Sequence, residues 1–302
     1  MRARAAAAGC VLALAAAAGC GATGSGATTS TSSVRRAGTT PHHVAHRPAR
    51  HHLPRPAHVV IAIMENHAAA QIIGSSAAPY IDHLARTGAS FSNSFAITHP
   101  SEPNYLALFS GSTHGVTDDS CPLTFSGPNL AAQLRAAGKS FAGYSDGLPS
   151  TGYTGCSAGE YARKHVPWTD FRGLPGAVNQ PAAAFPDHYR KLPTLSFVIP
   201  NLLHDMHDGT VTQGDTWLRQ HLGRYVQWAR RHNSLLVLTW DEDDTSHDNR
   251  IPTIITGAAV RPGSYAEHVT HYRVLRTLEA LERLHPIGAA RQTQPIENIW
   301  RP

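Results

Sequence analysis

Val59-Val60-Ile61-Ala62-Ile63, followed one residue later by Glu65-Asn66-His67, is the segment on which the fold turns. A short unbroken apolar run suits a strand covered on both faces, and the polar residues just beyond it then lie at the strand's carboxyl end. The pattern recurs twice. Leu195–Ile199 precedes His204-Asp205-Met206-His207-Asp208, and Leu235–Trp240 abuts Asp241-Glu242-Asp243-Asp244. Further strands are predicted over Ala89–Ile97, Ser140–Tyr144 and Ile251–Thr256, and helices over Ala78–Thr87, Asn129–Ala137, Asp215–Arg231 and His271–Leu284. Leu218, Leu222 and Tyr225 share one face of the longest helix. Strands alternating with helices predict an α/β domain, with a mostly parallel central sheet and helices on both faces. Ligands of such sheets gather beyond the carboxyl ends of the strands, which puts all three polar clusters on one rim.

Carboxylates and amides converging on a rim suit a hard divalent cation. One such cluster alone is more often a solvated loop, but three at strand ends in one domain favour a site. The expected ligands of one divalent metal cation, of unspecified identity, are Glu65, Asn66, Asp241 and Glu242. A fourth element, Thr98-His99-Pro100-Ser101-Glu102-Pro103-Asn104-Tyr105, brings Ser101 to the start of a helix. Free N–H groups and the helix dipole favour an anion such as phosphate there. Ser101 also suits a helix cap, and the two roles are compatible.

These residues carry a resemblance. Ser101-x-Pro103-Asn104, with Leu108-Phe109-Ser110-Gly111 downstream, resembles the nucleophile segment of the alkaline-phosphatase-like superfamily, whose nucleotide pyrophosphatases carry Thr-x-Pro-Asn. Tyr105 stands where the sulfatases of that superfamily carry arginine, which argues against a sulfatase. Glu65-Asn66, Pro100-Ser101-x-Pro103-Asn104-Tyr105 and Trp240-Asp241-Glu242 follow one another over roughly residues 57–285. That series is similar to the bacterial phosphoesterase family of acid phosphatases and phospholipases C. The run Asp205-Met206-His207-Asp208-Gly209 resembles the family's small secreted acid phosphatases.

The resemblance implies an acid phosphatase that hydrolyses phosphate monoesters, phosphoinositide head groups among them, through a phosphoserine at Ser101. A phospholipase C-type phosphodiesterase would use the same nucleophile. The compact body lacks the long extra domains of the larger phospholipases, which favours the monoesterase. His204 and His207 are the expected proton donors, because imidazole titrates near neutrality. Asn104 is expected on the transferring phosphoryl group. Asp205 and Asp208, on the substrate side, either orient the imidazoles or bind a second cation. A non-catalytic surface protein using the cation site for binding is a further reading, against which the complete Ser101 and carboxylate set weighs.

The charge of the chain supports no nucleic-acid partner. The net charge is +5, but residues 1–56 hold seven arginines and no acid, so residues 57–302 carry a net −2. Residues 1–20 have a charged start, an Ala/Leu/Val run too short to span a bilayer, and a small-residue end, as in an export signal. Ala17-Ala18-Gly19-Cys20 is similar to a bacterial lipoprotein signal, with Ala17 where leucine is usual. Membrane association through a lipidated Cys20 and ordinary secretion both stay open. Residues 21–56, Gly/Ser/Thr-rich and then His/Pro/Arg-rich, form the expected flexible linker to a catalytic domain over residues 57–302. An exported protein, secreted or anchored in the cell envelope, allows Cys121 and Cys156 to pair as a disulfide. Oligomeric state has no signature in the sequence.

Overall fold

The computed structural model describes residues 53–301. The expected export signal, Cys20 and residues 21–52 of the expected linker lie outside the described residues.

Eight strands form the main sheet: β1 His58–Met64, β2 Ala89–Phe91, β3 Phe141–Ser145, β4 Asn179–Pro181, β5 Leu195–Ile199, β6 Ser234–Trp240, β7 Thr253–Gly257 and β8 Gly263–Tyr265. Their order across the sheet is β8-β2-β7-β6-β1-β5-β3-β4. Only β7 runs against its neighbours; the other pairs are parallel. The principal helices are α1 Pro79–Thr87, α2 Ser101–Ser110, α3 Leu130–Ala136, α4 Val211–Ala229 and α5 His271–Glu282.

Strand β1 shows why its sequence has no polar alternation. Val59, Ile61 and Ile63 join one core with Leu106, Phe109 and Leu278, so α2 and α5 cover that face. Val60, Ala62 and Met64 join the other core with Ile81, Leu84, Leu218 and Leu222, so α1 and α4 cover the opposite one. Ile61 is wholly buried, and truncating such a side chain to alanine costs roughly 2–5 kcal/mol.

The predicted boundaries hold with three instructive departures. The strand expected over Ala89–Ile97 breaks at Ser92-Asn93; Ser94–Phe95 pairs instead with Val269–Thr270 in a separate small sheet. Ile97 N–H donates to the Asn104 side chain rather than to a strand. Helix α4 begins four residues earlier than expected, because Thr210 and Gln213 form a capping box ahead of Val211. The strand expected from Ile251 starts at Thr253, after Pro252, which has no N–H to give to a ladder. Strands β4 and β8, three residues each, carry no periodic signal that would have announced them.

Candidate active site

Strands β6, β1 and β5 lie side by side and deliver the three polar clusters to one place. The backbone stitches them together: Glu65 N–H donates to Asp205 O at 2.8 Å, and Asp241 N–H to Met64 O at 3.0 Å. Asn66 turns away from β1 with φ 51°, a left-handed conformation that asparagine accepts more readily than most residues. Its N–H donates to Asp241 Oδ1 at 3.1 Å. Gly209 closes the 204–208 loop, where an added Cβ would stand 1.9 Å from Leu203 O. From behind, the first residue of α5, His271, holds Asp241 O at 2.6 Å through Nε2.

Ser101 is the first residue of α2, and Pro100 occupies the capping position. The cap role is therefore not the one Ser101 plays. Its Oγ lies 3.1 Å from Glu65 Oε2 and 3.4 Å from Glu242 Oε1. Tyr105, one helical turn on, donates its hydroxyl to Glu65 Oε1. Asp119 Oδ1 accepts Glu102 N–H at 3.0 Å, so one of the helix-start donors is satisfied by the protein itself. His99 Nδ1 lies 2.9 Å from Glu242 Oε2, and its Nε2 lies 3.3 Å from Asp243 Oδ1. His165 stands between two carboxylates: Nε2 is 3.4 Å from Glu65 Oε1 and Nδ1 is 3.3 Å from Asp205 Oδ2. Its ring stacks on Tyr105 at 5.1 Å.

Burial and mutual repulsion dominate the electrostatics. Burial, then the charges of Asp241 and Asp205, holds the Glu65 carboxyl well above the usual range. Asp205 is raised well above it too, mainly by burial, against the hydrogen bond from His207 N–H. Burial lifts Asp241 to about 6 despite the Asn66 N–H bond. Glu242 reaches about 9 through burial and the Asp241 and Asp119 charges. His165 is pushed well below the usual histidine range by burial and then by Lys164.

This cluster fits a cation. Asn66 Oδ1, Asp205 Oδ2, Asp241 Oδ2 and His165 Nε2 are buried without a well-aligned hydrogen-bond partner. One donor atom from each of Glu65, His165 and Asp205 lies within 4.8 Å of the other two. Unpartnered oxygens among repelling carboxylates are the groups a hard cation satisfies.

Six of the residues named from sequence thus meet at the rim: Glu65, Asn66, Ser101, Asp205, Asp241 and Glu242. Asp205 sits deeper than a substrate-side residue, wholly buried beside His165. Asn104 is adjacent, but its amide is largely spent on its own loop. Its Oδ1 accepts from Ile97 and Thr98 N–H, and its Nδ2 donates to Thr98 O and Pro100 O, with Glu242 Oε2 at 3.3 Å. His207 reaches the cluster through Lys164, Nε2 to Nζ 3.3 Å, while its Nδ1 contacts the half-exposed Asp208 at 2.7 Å. His204 does not reach it. That imidazole contacts Asp146 at 2.7 Å and lies over Trp217, lining a separate cavity of about 320 Å³ with Thr212 and His221. The backbone between the two histidines turns through Met206 at φ 87°, which sends them to different surroundings.

Sequence reasoning passed over His99, Tyr105, Asp119, Lys164, His165 and His271. His99 and Tyr105 were inside the quoted Ser101 segment; the others follow no predicted strand. Cys121 and Cys156 are bonded, with Cα atoms 5.8 Å apart, and the loop they close ends shortly before Lys164 and His165.

The mostly parallel sheet with helices on both faces is a fold shared with solved structures of the alkaline phosphatase superfamily. The fold matches a protein of that superfamily from Vibrio parahaemolyticus, with a TM-score of 0.54 at 14% identity, over 80% of this chain and 71% of that one. It also matches a phosphonate monoester hydrolase from Silicibacter pomeroyi, with a TM-score of 0.54 at 13% identity, over 80% and 76%. The chain belongs to the Phosphoesterase family, which it matches over residues 75–285. Glu65 and Asn66 precede the matched span, so their place in the site rests on the structure. Over 251 residues the chain is 53% identical to a phosphatidylinositol-3-phosphatase of Mycobacterium tuberculosis, covering 82% of this chain and 84% of that protein. It is 29% identical to a phosphate-repressible acid phosphatase of Penicillium chrysogenum, covering 69% of this chain and 55% of that one. The chain spans about half the length of the fungal acid phosphatases it matches. It is a hydrolase of the phosphatase type.

Proposed function

We propose that this chain is an exported, metal-dependent phosphomonoesterase that passes the phosphoryl group through Ser101. The observation that carries the reading is Ser101 Oγ at the first position of a buried helix, 3.1 Å from Glu65 Oε2 and 3.4 Å from Glu242 Oε1. A serine hydroxyl is a weak nucleophile unless a base or a cation activates it. Glu65, Asn66, Asp241 and Glu242, with Asp205 and His165 beside them, would hold a divalent cation, which would supply Lewis-acid charge when bound.

Ser101 Oγ attacks phosphorus while its proton passes to Glu65 Oε2. The bond from phosphorus to the leaving oxygen breaks, and that oxygen takes a proton from an imidazole at the site's mouth. His207 and His99, both part-exposed, are the imidazoles in reach of the cluster. Water then attacks the phosphoserine, giving a proton to the imidazole that lost one, and the Oγ–P bond breaks as Glu65 returns its proton to Ser101 and inorganic phosphate leaves. Tyr105 and His271 orient Glu65 and Asp241 during both steps.

Phosphoinositide monoesters head the substrates to test, because the mycobacterial relative is named for one. The Cys121–Cys156 bond suits an oxidising compartment. It supports reading residues 1–20 as an export signal and 21–56 as a tether to a catalytic body at 57–302, secreted or anchored through Cys20. The deciding assay compares an aryl phosphate with its methyl diester, with and without chelator. Faster diester hydrolysis moves the protein to the phospholipase C-type reading, and chelator-insensitive turnover removes the metal.

A further inference from the structure

A site built from Glu65, Asp205, Asp241 and Glu242 is a poor host for a dianion unless something positive faces the substrate. Lys164 is placed to do so. It lies in the short turn Arg163–His165, next to the imidazole between Glu65 and Asp205. Its Nζ is 2.9 Å from Asp119 Oδ2 and 3.3 Å from His207 Nε2, and its side chain is 20% exposed. The Asp119 carboxylate joins it to the nucleophile's helix, because Asp119 Oδ1 accepts the N–H of Glu102 at 3.0 Å. The neighbouring cation, Arg163, is committed elsewhere, to Asp170, Thr154 O and Leu123 O. An ammonium has three N–H donors; Asp119 takes one and His207 Nε2 accepts another only while that imidazole is neutral, so at least one is left for a ligand.

We infer that Lys164 contacts the substrate: its ammonium, beside His207, receives a non-bridging oxygen of the phosphate and sets the preference for a monoester dianion over a diester. The inference rests on the phosphomonoesterase reading. A diester carries one negative charge fewer and replaces one of the oxygens that Lys164 would meet, so the group matters less to it.

The test compares wild type with Lys164→Gln, Lys164→Arg and Asp119→Asn, using the full chain with its disulfide intact. Three quantities are read: kcat/KM for an aryl phosphate, kcat/KM for its methyl diester, and the inhibition constant of inorganic phosphate. Losing one donor to the transferring group typically lowers turnover by about 10²–10³-fold. Lys164→Gln should therefore lower monoester kcat/KM by that order, diester kcat/KM by about tenfold or less, and weaken phosphate inhibition by about tenfold or more. Lys164→Arg should recover part of the monoester rate. Asp119→Asn, which keeps the ammonium but loosens its tether, should fall between. Equal losses on both esters with unchanged phosphate inhibition mean a purely structural lysine and overturn the inference. Should the glutamine protein not fold, an unchanged monoester-to-diester ratio in both remaining variants overturns it equally. Wild type without monoester activity would defeat the functional reading first, an outcome separate from any result on Lys164.

Discussion

Glu65 and Asp205 bring two buried carboxylates within 4.8 Å of each other, and Asp205→Asn tests what they are for. At an effective dielectric constant of about 20, two full charges at that separation repel by about 3 kcal/mol. Protonation relieves part of this, so the figure is an upper bound. The substitution is conservative, since asparagine Oδ1 can accept His207 N–H as Asp205 Oδ1 does at 2.8 Å. In chelator at pH 8 the variant should melt above wild type. For a domain of this size each kcal/mol moves the midpoint by about 2–4 °C, so the gain is at most about 6–12 °C. A divalent cation at about 100 times its Kd stabilises the protein that binds it by about 2.7 kcal/mol. Wild type should then gain several degrees, and Asp205→Asn less than half as much. The variant's lead in chelator should therefore shrink by about 1.4 kcal/mol or more when the cation is added. Calorimetric melts in EDTA, Mg²⁺, Mn²⁺, Ca²⁺ and Zn²⁺ measure this without any turnover. The cation-site reading fails if wild type ignores all four ions and the variant is no more stable in chelator.

Ser101→Ala should lower kcat by at least about 10³-fold while the melting midpoint stays within a few degrees, and a folded variant with near-normal turnover removes the nucleophile. His207→Ala should lower kcat/KM by about 10²-fold and His204→Ala by only a few-fold, as their different surroundings require; the reverse order, in steady-state kinetics, restores the expectation for His204. Replacing Cys121 and Cys156 by serine opens a loop of 35 residues and should cost roughly 3–4 kcal/mol in urea denaturation. Far from the rim, burial raises the Glu279 carboxyl from 4.5 to about 7. The folded protein therefore holds a proton that the unfolded chain releases. This contribution to stability is complete below about 4.5 and is lost as pH rises through about 7. Glu279→Gln should flatten that portion of the urea midpoint against pH, and an unchanged slope assigns it to other groups.

Periodicity carried the fold because the sheet is buried on both sides. β1, β5 and β6 are buried almost end to end and mostly apolar for that reason, and each is followed by a polar cluster because its carboxyl end meets the site. Strand-end position likewise disclosed Glu65, Asn66, Asp241 and Glu242. It did not separate His204 from His207, three residues apart, because the loop's path depends on Met206 at φ 87° and on the close approach at Gly209, neither of which leaves a periodic trace, and only His207 comes near the cluster. Asn104 was visible from its place in the Ser101 segment, and the structure adds that its amide is largely engaged by the turn before α2.

The residues that escaped notice share a physical character. Strand ends disclosed the negative half of the site, and a nest of buried carboxylates repels the phosphate it is meant to process. Balance has to come from a cation or from positive and neutral donors, and these arrive on the segment between α2 and β4. Asp119 ties that segment to the start of α2, Cys121–Cys156 closes it, and Lys164 and His165 project from the turn just beyond the bond. Only the two-residue strand Tyr161–Ala162 leads into that turn, too short to leave a periodic signal, so no local pattern advertises them. Their function depends on contacts with Glu65, Asp205 and His207, between about 40 and 100 residues away in the chain. A motif can therefore name the nucleophile of such a site, whereas the charge balance that lets a dianion approach it is a property of the assembled fold.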